Sequence, residues 1–249
     1  MGKRFRHAHK ESTQGKTAIQ GIADRLRGAM RKAAVDVIVD GARETEERRP
    51  RTVNIRITPV CWGFPADEIT FTRWTFNVMT IRPMPWDDII TSINTYLPYA
   101  RNNIHEQFIE SSESPWLFML DSDVLPPPDI IDRLLKDAVS LNAHMVGGWY
   151  KKKAAPFLPV VYDFNRIDEN GITLFTQRTK PGKGIEEVTG AGAGCWLMSR
   201  ELATALGKKP YDMVIGGEDL VLCRKVSALG YKMFIDWDLA CAHTGVGYI

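Results

Sequence analysis

Short apolar runs alternate with amphipathic stretches along most of the chain, and this alternation predicts an α/β sheet flanked by helices. A first core strand is expected at residues 53–58, then a helix at 89–108 and a buried strand at 116–120, Trp-Leu-Phe-Met-Leu. Pro126, Pro127 and Pro128 fix the exit from that strand and prepare a helix over 129–141. A strand follows at 144–150, and a hairpin spans 160–175 around Glu169-Asn170-Gly171. Residues 180–184 read as a mobile loop. The chain then gives a helix at 220–229, a glycine stop at Gly230 and a last strand at 232–236.

The first part of the chain follows a different pattern. Residues 1–15 are basic and polar, and Ile19, Ile22, Leu26, Met30, Ala33 and Val37 set a helical period across 16–39. A charged hinge with Pro50 inside it occupies 43–51, so the expected division is a basic tail and amphipathic helix over 1–51 and a main α/β domain over 52–249. Charge sharpens this division. Residues 1–51 hold 13 Lys/Arg against 7 Asp/Glu, leaving 19 against 23 in the remainder, which is +6 against −4 within a net +2.

With 249 residues, 44% hydrophobic and 25% charged, the chain can bury a core and need not be disordered. No apolar run approaches the roughly 18 residues of a membrane span, and no signal-type stretch opens the chain, so a soluble cytoplasmic protein is expected. Cys61, Cys195, Cys223 and Cys241 are widely spaced, with no CxxC pair, and read as reduced thiols.

The buried strand at 116–120 runs into Asp121-Ser122-Asp123, and ligands of open α/β sheets bind at such strand ends. If the backbone stays extended there, Asp121 and Asp123 project to one side and offer two hard oxygen ligands to Mg²⁺ or Mn²⁺ on a diphosphate. A solvated turn or a helix cap is the plainer alternative. Gly216-Gly217-Glu218-Asp219 opens the helix at 220, where a carboxylate can act as general base, or Asp219 can cap the helix. His243 offers a neutral imidazole as a third metal ligand, although a lone histidine is more often packed or exposed. The run Thr189-Gly190-Ala191-Gly192-Ala193-Gly194 lets either substrate or a packed strand come close, and it does not have the place of a dinucleotide fingerprint. Lys151, Lys152 and Lys153 either neutralise phosphate or solvate an edge.

These motifs, in this order, resemble the GT-A fold glycosyltransferases, particularly the family-2-like enzymes of bacteria and their phages. The likeness spans about residues 53–245 and includes Thr58-Pro59, Ala100-Arg101-Asn102, Asp121-Ser122-Asp123, Gly147-Gly148-Trp149-Tyr150, Glu218-Asp219 and His243-Thr244-Gly245. The resemblance implies a Rossmann-like, mostly parallel sheet over 52–249. It places Thr58, Pro59, Arg101, Asn102, Asp121 and Ser122 around a nucleotide-sugar, most simply a UDP-sugar. It makes Asp123, Asp121 and His243 the holders of Mn²⁺ or Mg²⁺, Asp219 the base of an inverting transfer and Glu218 the residue that positions the acceptor. The stretch 61–85 and the N-terminal 51 residues depart from the minimal fold and read as insertions.

The basic residues Lys3, Arg4, Arg6, Lys10, Arg25, Arg27, Arg31 and Lys32 suit a phosphate backbone, which makes hydroxymethylated bases of phage DNA one acceptor and the host cytoplasm the location. A saccharide, lipid-linked or protein acceptor is the alternative. A nucleotidyltransferase or a non-catalytic nucleic-acid-binding module are readings of other classes.

Overall fold

The computed structural model describes residues 56–66, 72–81, 83–212 and 217–244. The tail, the helix expected over 16–39, the hinge at 43–51 and the boundary near Arg51 lie outside them.

Five strands run parallel: β1 (Val60–Ala66), β2 (Asp88–Ile93), β3 (Trp116–Leu120), β5 (Met145–Trp149) and β11 (Met233–Ala240). Two run against them, β8 (Ile185–Val188) and β10 (Cys195–Ser199). Together they form a seven-stranded sheet in the order β2-β1-β3-β10-β5-β11-β8. Central strands of such a sheet are covered on both faces and so must be apolar on both. In β3, Leu117 and Met119 join the core beneath α2 (Leu97–Ser111), α4 (Arg200–Leu206) and α5 (Glu218–Ala228). Phe118 and Leu120 join the opposite core, beneath α1 (Thr72–Ile81) and α3 (Ile130–Leu141). Two small sheets complete the described fold: β4 (Val124–Leu125) pairs with β12 (Ala242–His243), and β6 (Val161–Ile167) lies between β7 (Thr173–Gln177) and β9 (Gly190–Ala191).

The predicted elements at 116–120, 129–141, 144–150, 160–175, 220–229 and 232–236 all have counterparts here. Two predictions near the start are corrected. Residues 53–55 lie outside the described chain, but Arg56, Ile57 and Thr58 are not in a strand, which begins instead at Val60. The cause is a buried anchor just ahead of β2. The carboxylate of Asp87 accepts hydrogen bonds from both terminal nitrogens of Arg56, from the Val60 N–H at 3.1 Å, from Trp62 Nε1 at 3.0 Å and from the Met84 N–H at 2.9 Å. Arg56 is therefore consumed in pinning the entry to β1, and the stretch 61–85, read as an insertion, supplies both β1 and α1.

The helix expected over 89–108 is likewise a strand followed by a helix. The β-branched run in Asp88–Ile93 pairs with β1, and Asn94 then takes a left-handed φ of 53° while its N–H reaches the Ala66 carbonyl at 3.0 Å. Pro98, placed in the first turn, starts α2.

Gly147 on β5 sits where β10 presses closest, and a Cβ there would lie 2.7 Å from Trp196 Cε3 and 2.9 Å from the Cys195 carbonyl oxygen. Gly147→Ala is expected to cost ~1–3 kcal/mol by overpacking, read as a lower urea midpoint with unchanged slope. An unchanged midpoint would mean that the two strands can move apart without loss.

Candidate active site

The five parallel strands end on one edge of the sheet, and the chemistry-bearing residues gather there. A cleft of about 460 Å³ opens at this edge. Pro65 and Ala66 line it from the end of β1, residues 94–97 from the connection after β2, and Asp121, Ser122 and Asp123 from the end of β3.

The DxD segment is not extended. The Val124 N–H returns to the Asp121 carbonyl at 3.1 Å, so the chain turns and sends its two carboxylates toward different partners. Asp121 accepts from Arg101 Nη2 at 3.0 and 2.8 Å. The other terminal nitrogen of Arg101 donates to Glu218 Oε1 and Asp219 Oδ1, each at 2.6 Å. Arg101 is 1% exposed. Burial works against its charge, but Asp121 and Asp219 more than offset this and hold the guanidinium proton well above its ordinary range. Arg101 is thus the centre of an ion cluster joining α2, the end of β3 and the start of α5.

Glu218 and Asp219 occupy the first turn of α5, whose N-cap is Gly217 at a φ of 88°, and neither carboxylate serves as that cap. Burial raises the Asp219 carboxyl to about 6, with Arg101 opposing the shift and Glu218 and Asp121 adding to it. A carboxylate in that range can take a proton near neutral pH.

Asp123 faces the other way. Its Oδ2 pairs with Lys153 Nζ, and its Oδ1 lies 3.5 Å from His243 Nε2. Its backbone carbonyl accepts from the Thr244 N–H at 2.8 Å and the Thr244 hydroxyl at 2.9 Å. The short β4–β12 pairing, which aligns His243 with Val124, thereby carries the histidine to the DxD turn. His243 Nδ1 is 2.7 Å from the Lys151 carbonyl, which can only accept, so Nδ1 donates there and Nε2 is the nitrogen turned toward Asp123. This is how metal-binding imidazoles are oriented, and the pair could hold a divalent cation. Among the described residues no third His, Cys, Asp or Glu joins them around one point.

Tyr150 connects the two halves, a role the sequence reading missed. Its hydroxyl accepts from the Gly194 N–H at 3.0 Å, and its ring meets His243 edge-on at 5.0 Å. A Cβ on Gly192 or Gly194 would stand 2.3 or 2.7 Å from that hydroxyl, and one on Gly194 would stand 2.9 Å from Asp121 Oδ2. Of the two alternatives for this small-residue run, close packing is the one the structure realises. Gly194 also receives the Asp121 N–H on its carbonyl at 3.0 Å. In the sequence Tyr150 closes the Gly147–Tyr150 motif ahead of three lysines, with nothing local to mark its link to Gly194 and His243.

Two further expected contacts move. Val60 pairs with Trp116, the first residue of β3, so Thr58 and Pro59 lie at the opposite edge of the sheet from Asp121, and Pro65 and Ala66 take the position expected of them. Asn102 is buried and spends its amide on the Tyr211 backbone, donating to the carbonyl at 2.7 Å and accepting the N–H at 2.9 Å. It braces the segment before α5 instead of lining the cleft.

No protein-family model matches the chain, and no curated protein matches it in sequence. Among solved structures it is similar to A197 from STIV, with a TM-score of 0.57 and 18% identity over 76% of this chain and 87% of that one. It is also similar to GalNAc-T7 with UDP, GalNAc and Mn²⁺, with a TM-score of 0.50 and 13% identity over 74% of this chain and 43% of that one. The fold is GT-A. No helix among the described residues is long and apolar enough to cross a membrane.

Replacing Arg101 by Met leaves three carboxylates without their shared cation and is expected to cost ~3–5 kcal/mol. The unpaired acids then have raised folded-state pKa values, so their stabilising share is present at low pH and lost as pH rises. Denaturant titrations should therefore find a smaller defect at about pH 5 than at about pH 8, and a pH-independent defect would point to lost packing alone.

Proposed function

We propose that the chain is a glycosyltransferase that moves a sugar from a nucleotide-sugar, a UDP-sugar in the simplest case, to an acceptor hydroxyl with inversion. The observation that carries this reading is the division of the sheet edge beside the cleft. Asp123 and His243 face each other on one side, and Asp219 stands as a raised-pKa carboxylate on the other, with Arg101 and Tyr150 fixing the relation between them. The GT-A fold and the order of the motifs support it, and the motif order favours a family-2-like enzyme.

In this reading the donor enters the cleft with its nucleoside against Pro65, Ala66 and the 94–97 connection and its diphosphate toward Ser122 and Asp123. A bound Mn²⁺ or Mg²⁺ supplies Lewis-acid stabilisation of the departing diphosphate. Asp123 and His243 would hold it. Asp219 takes the acceptor hydroxyl proton as that oxygen bonds to the anomeric carbon, and the bond from that carbon to the diphosphate oxygen breaks, releasing nucleoside diphosphate. Glu218, held on the same guanidinium nitrogen, orients the acceptor. Asp121 serves this site by fixing Arg101 and the Gly194 turn.

Asp219→Asn should lower turnover by about 10²–10⁴-fold while donor binding is kept. A base works only when deprotonated, so parent turnover should climb with pH and level off above about 6, the range to which burial raises Asp219. Product analysis under saturating Mn²⁺ and UDP-sugar checks both. An Asp219→Asn protein as active as the parent removes Asp219 from the mechanism, and release of sugar 1-phosphate in place of UDP would favour nucleotidyl transfer.

The acceptor reading is DNA carrying hydroxymethylated bases, and it rests on the +6 charge of residues 1–51. Removal of residues 1–40 should weaken DNA binding and flatten its dependence on salt concentration. An unchanged affinity and salt slope would turn the assignment to a saccharide, lipid-linked or protein acceptor.

A further inference from the structure

Lys153 is left without a role by the mechanism above, yet it touches the centre of the site. It lies on a tight return between β5 and β6, where Lys152 N–H donates to the Leu158 carbonyl and Val160 N–H to the Tyr150 carbonyl, each at 2.9 Å, and Lys151 bridges to Pro159. The return carries the lysine back over the strand ends, and Nζ meets Asp123 Oδ2. His243 Nε2 faces the other oxygen of the same carboxylate at 3.5 Å. Asp123 is thus shared between an imidazole at one carboxylate oxygen and an ammonium at the other. The Lys153 side chain is 42% exposed, so it is an arm that can swing and not a packed strut.

Charge makes this placement consequential. Asp121, Glu218 and Asp219 share Arg101, and Asp123 has Lys153, so this constellation holds four carboxylates against two cationic side chains. A donor diphosphate adds further negative charge. A divalent cation on Asp123 repels the ammonium, and the diphosphate that comes with it offers the ammonium a new anionic partner.

We infer that Lys153 is an internal competitor for the cation at Asp123 and passes to a diphosphate oxygen of the donor when the cation binds. Without nucleotide it keeps cation affinity low. With nucleotide it adds to diphosphate affinity, so cation and donor bind together instead of in turn. No covalent bond changes in this exchange. It rests on the reading of Asp123 and His243 as cation ligands.

The test uses the full chain, with Mn²⁺ binding followed by electron paramagnetic resonance in the absence of nucleotide and UDP binding followed by calorimetry at saturating Mn²⁺. Lys153→Met keeps the aliphatic stem and should bind Mn²⁺ about fivefold tighter, the scale of an exposed ion pair removed. The same variant should bind UDP about tenfold weaker, the scale of a lost charge-assisted contact. Lys153→Arg should return both values toward the parent. Unchanged Mn²⁺ affinity in Lys153→Met overturns the inference and makes the side chain a solvated edge cation. Asp123→Asn separates the two levels. If Mn²⁺ affinity survives that change, the cation site itself is misassigned. If it is lost there but unaltered in Lys153→Met, only the role of the lysine fails.

Discussion

A single buried guanidinium holds this site together. Asp121 comes from the end of a central strand and Glu218 and Asp219 from the first turn of a helix about a hundred residues later, and all three would repel one another without Arg101 between them. Burying such a cluster gains little net stability against an apolar substitute, but it fixes geometry, because each oxygen must find a nitrogen of a planar, rigid fork. The reactive edge of the sheet is therefore set by an interior electrostatic constraint, and the cleft side chains are arranged around it. Tyr150 extends the same constraint toward His243 through a hydrogen bond and a ring contact.

That architecture explains how much could be read from the sequence. The buried strand at 116–120, the helix after the three prolines and the final helix and strand are legible because apolarity on two faces, proline placement and a glycine stop are local signals. So were the carboxylates at 121, 123, 218 and 219, since each follows a local change from apolar run to acidic residues. The first strand was placed too early, because the Arg56–Asp87 anchor that stops residues 56–58 from joining the sheet spans 31 positions. Thr58 and Pro59 inherited that error. Arg101 read as a ligand of the nucleotide because a cation on a helix gives no local sign that three acids from elsewhere will surround it. The linking role of Tyr150 was illegible for a similar reason: its partners, Gly194 and His243, lie 44 and 93 positions away along the chain.

The absence of a sequence match alongside similarity to solved structures at 18% and 13% identity has a physical meaning. A parallel sheet with helices on both faces asks mainly for apolar strands of the right length and turns at the strand ends, and many sequences satisfy that demand.

The cleft wall has an uneven composition that bears on how such a protein can be altered. Its DxD side is tied into the ion cluster and the glycine packing, where a side chain added at Gly192 or Gly194 meets an existing atom. Its other side, Pro65, Ala66 and residues 94–97, carries no formal charge and comes from strand ends that the cluster does not use. If the proposed reading holds, donor preference and chemical competence are housed on separate, independently mutable surfaces, so a library confined to the uncharged wall would retune selectivity while leaving the ion cluster intact.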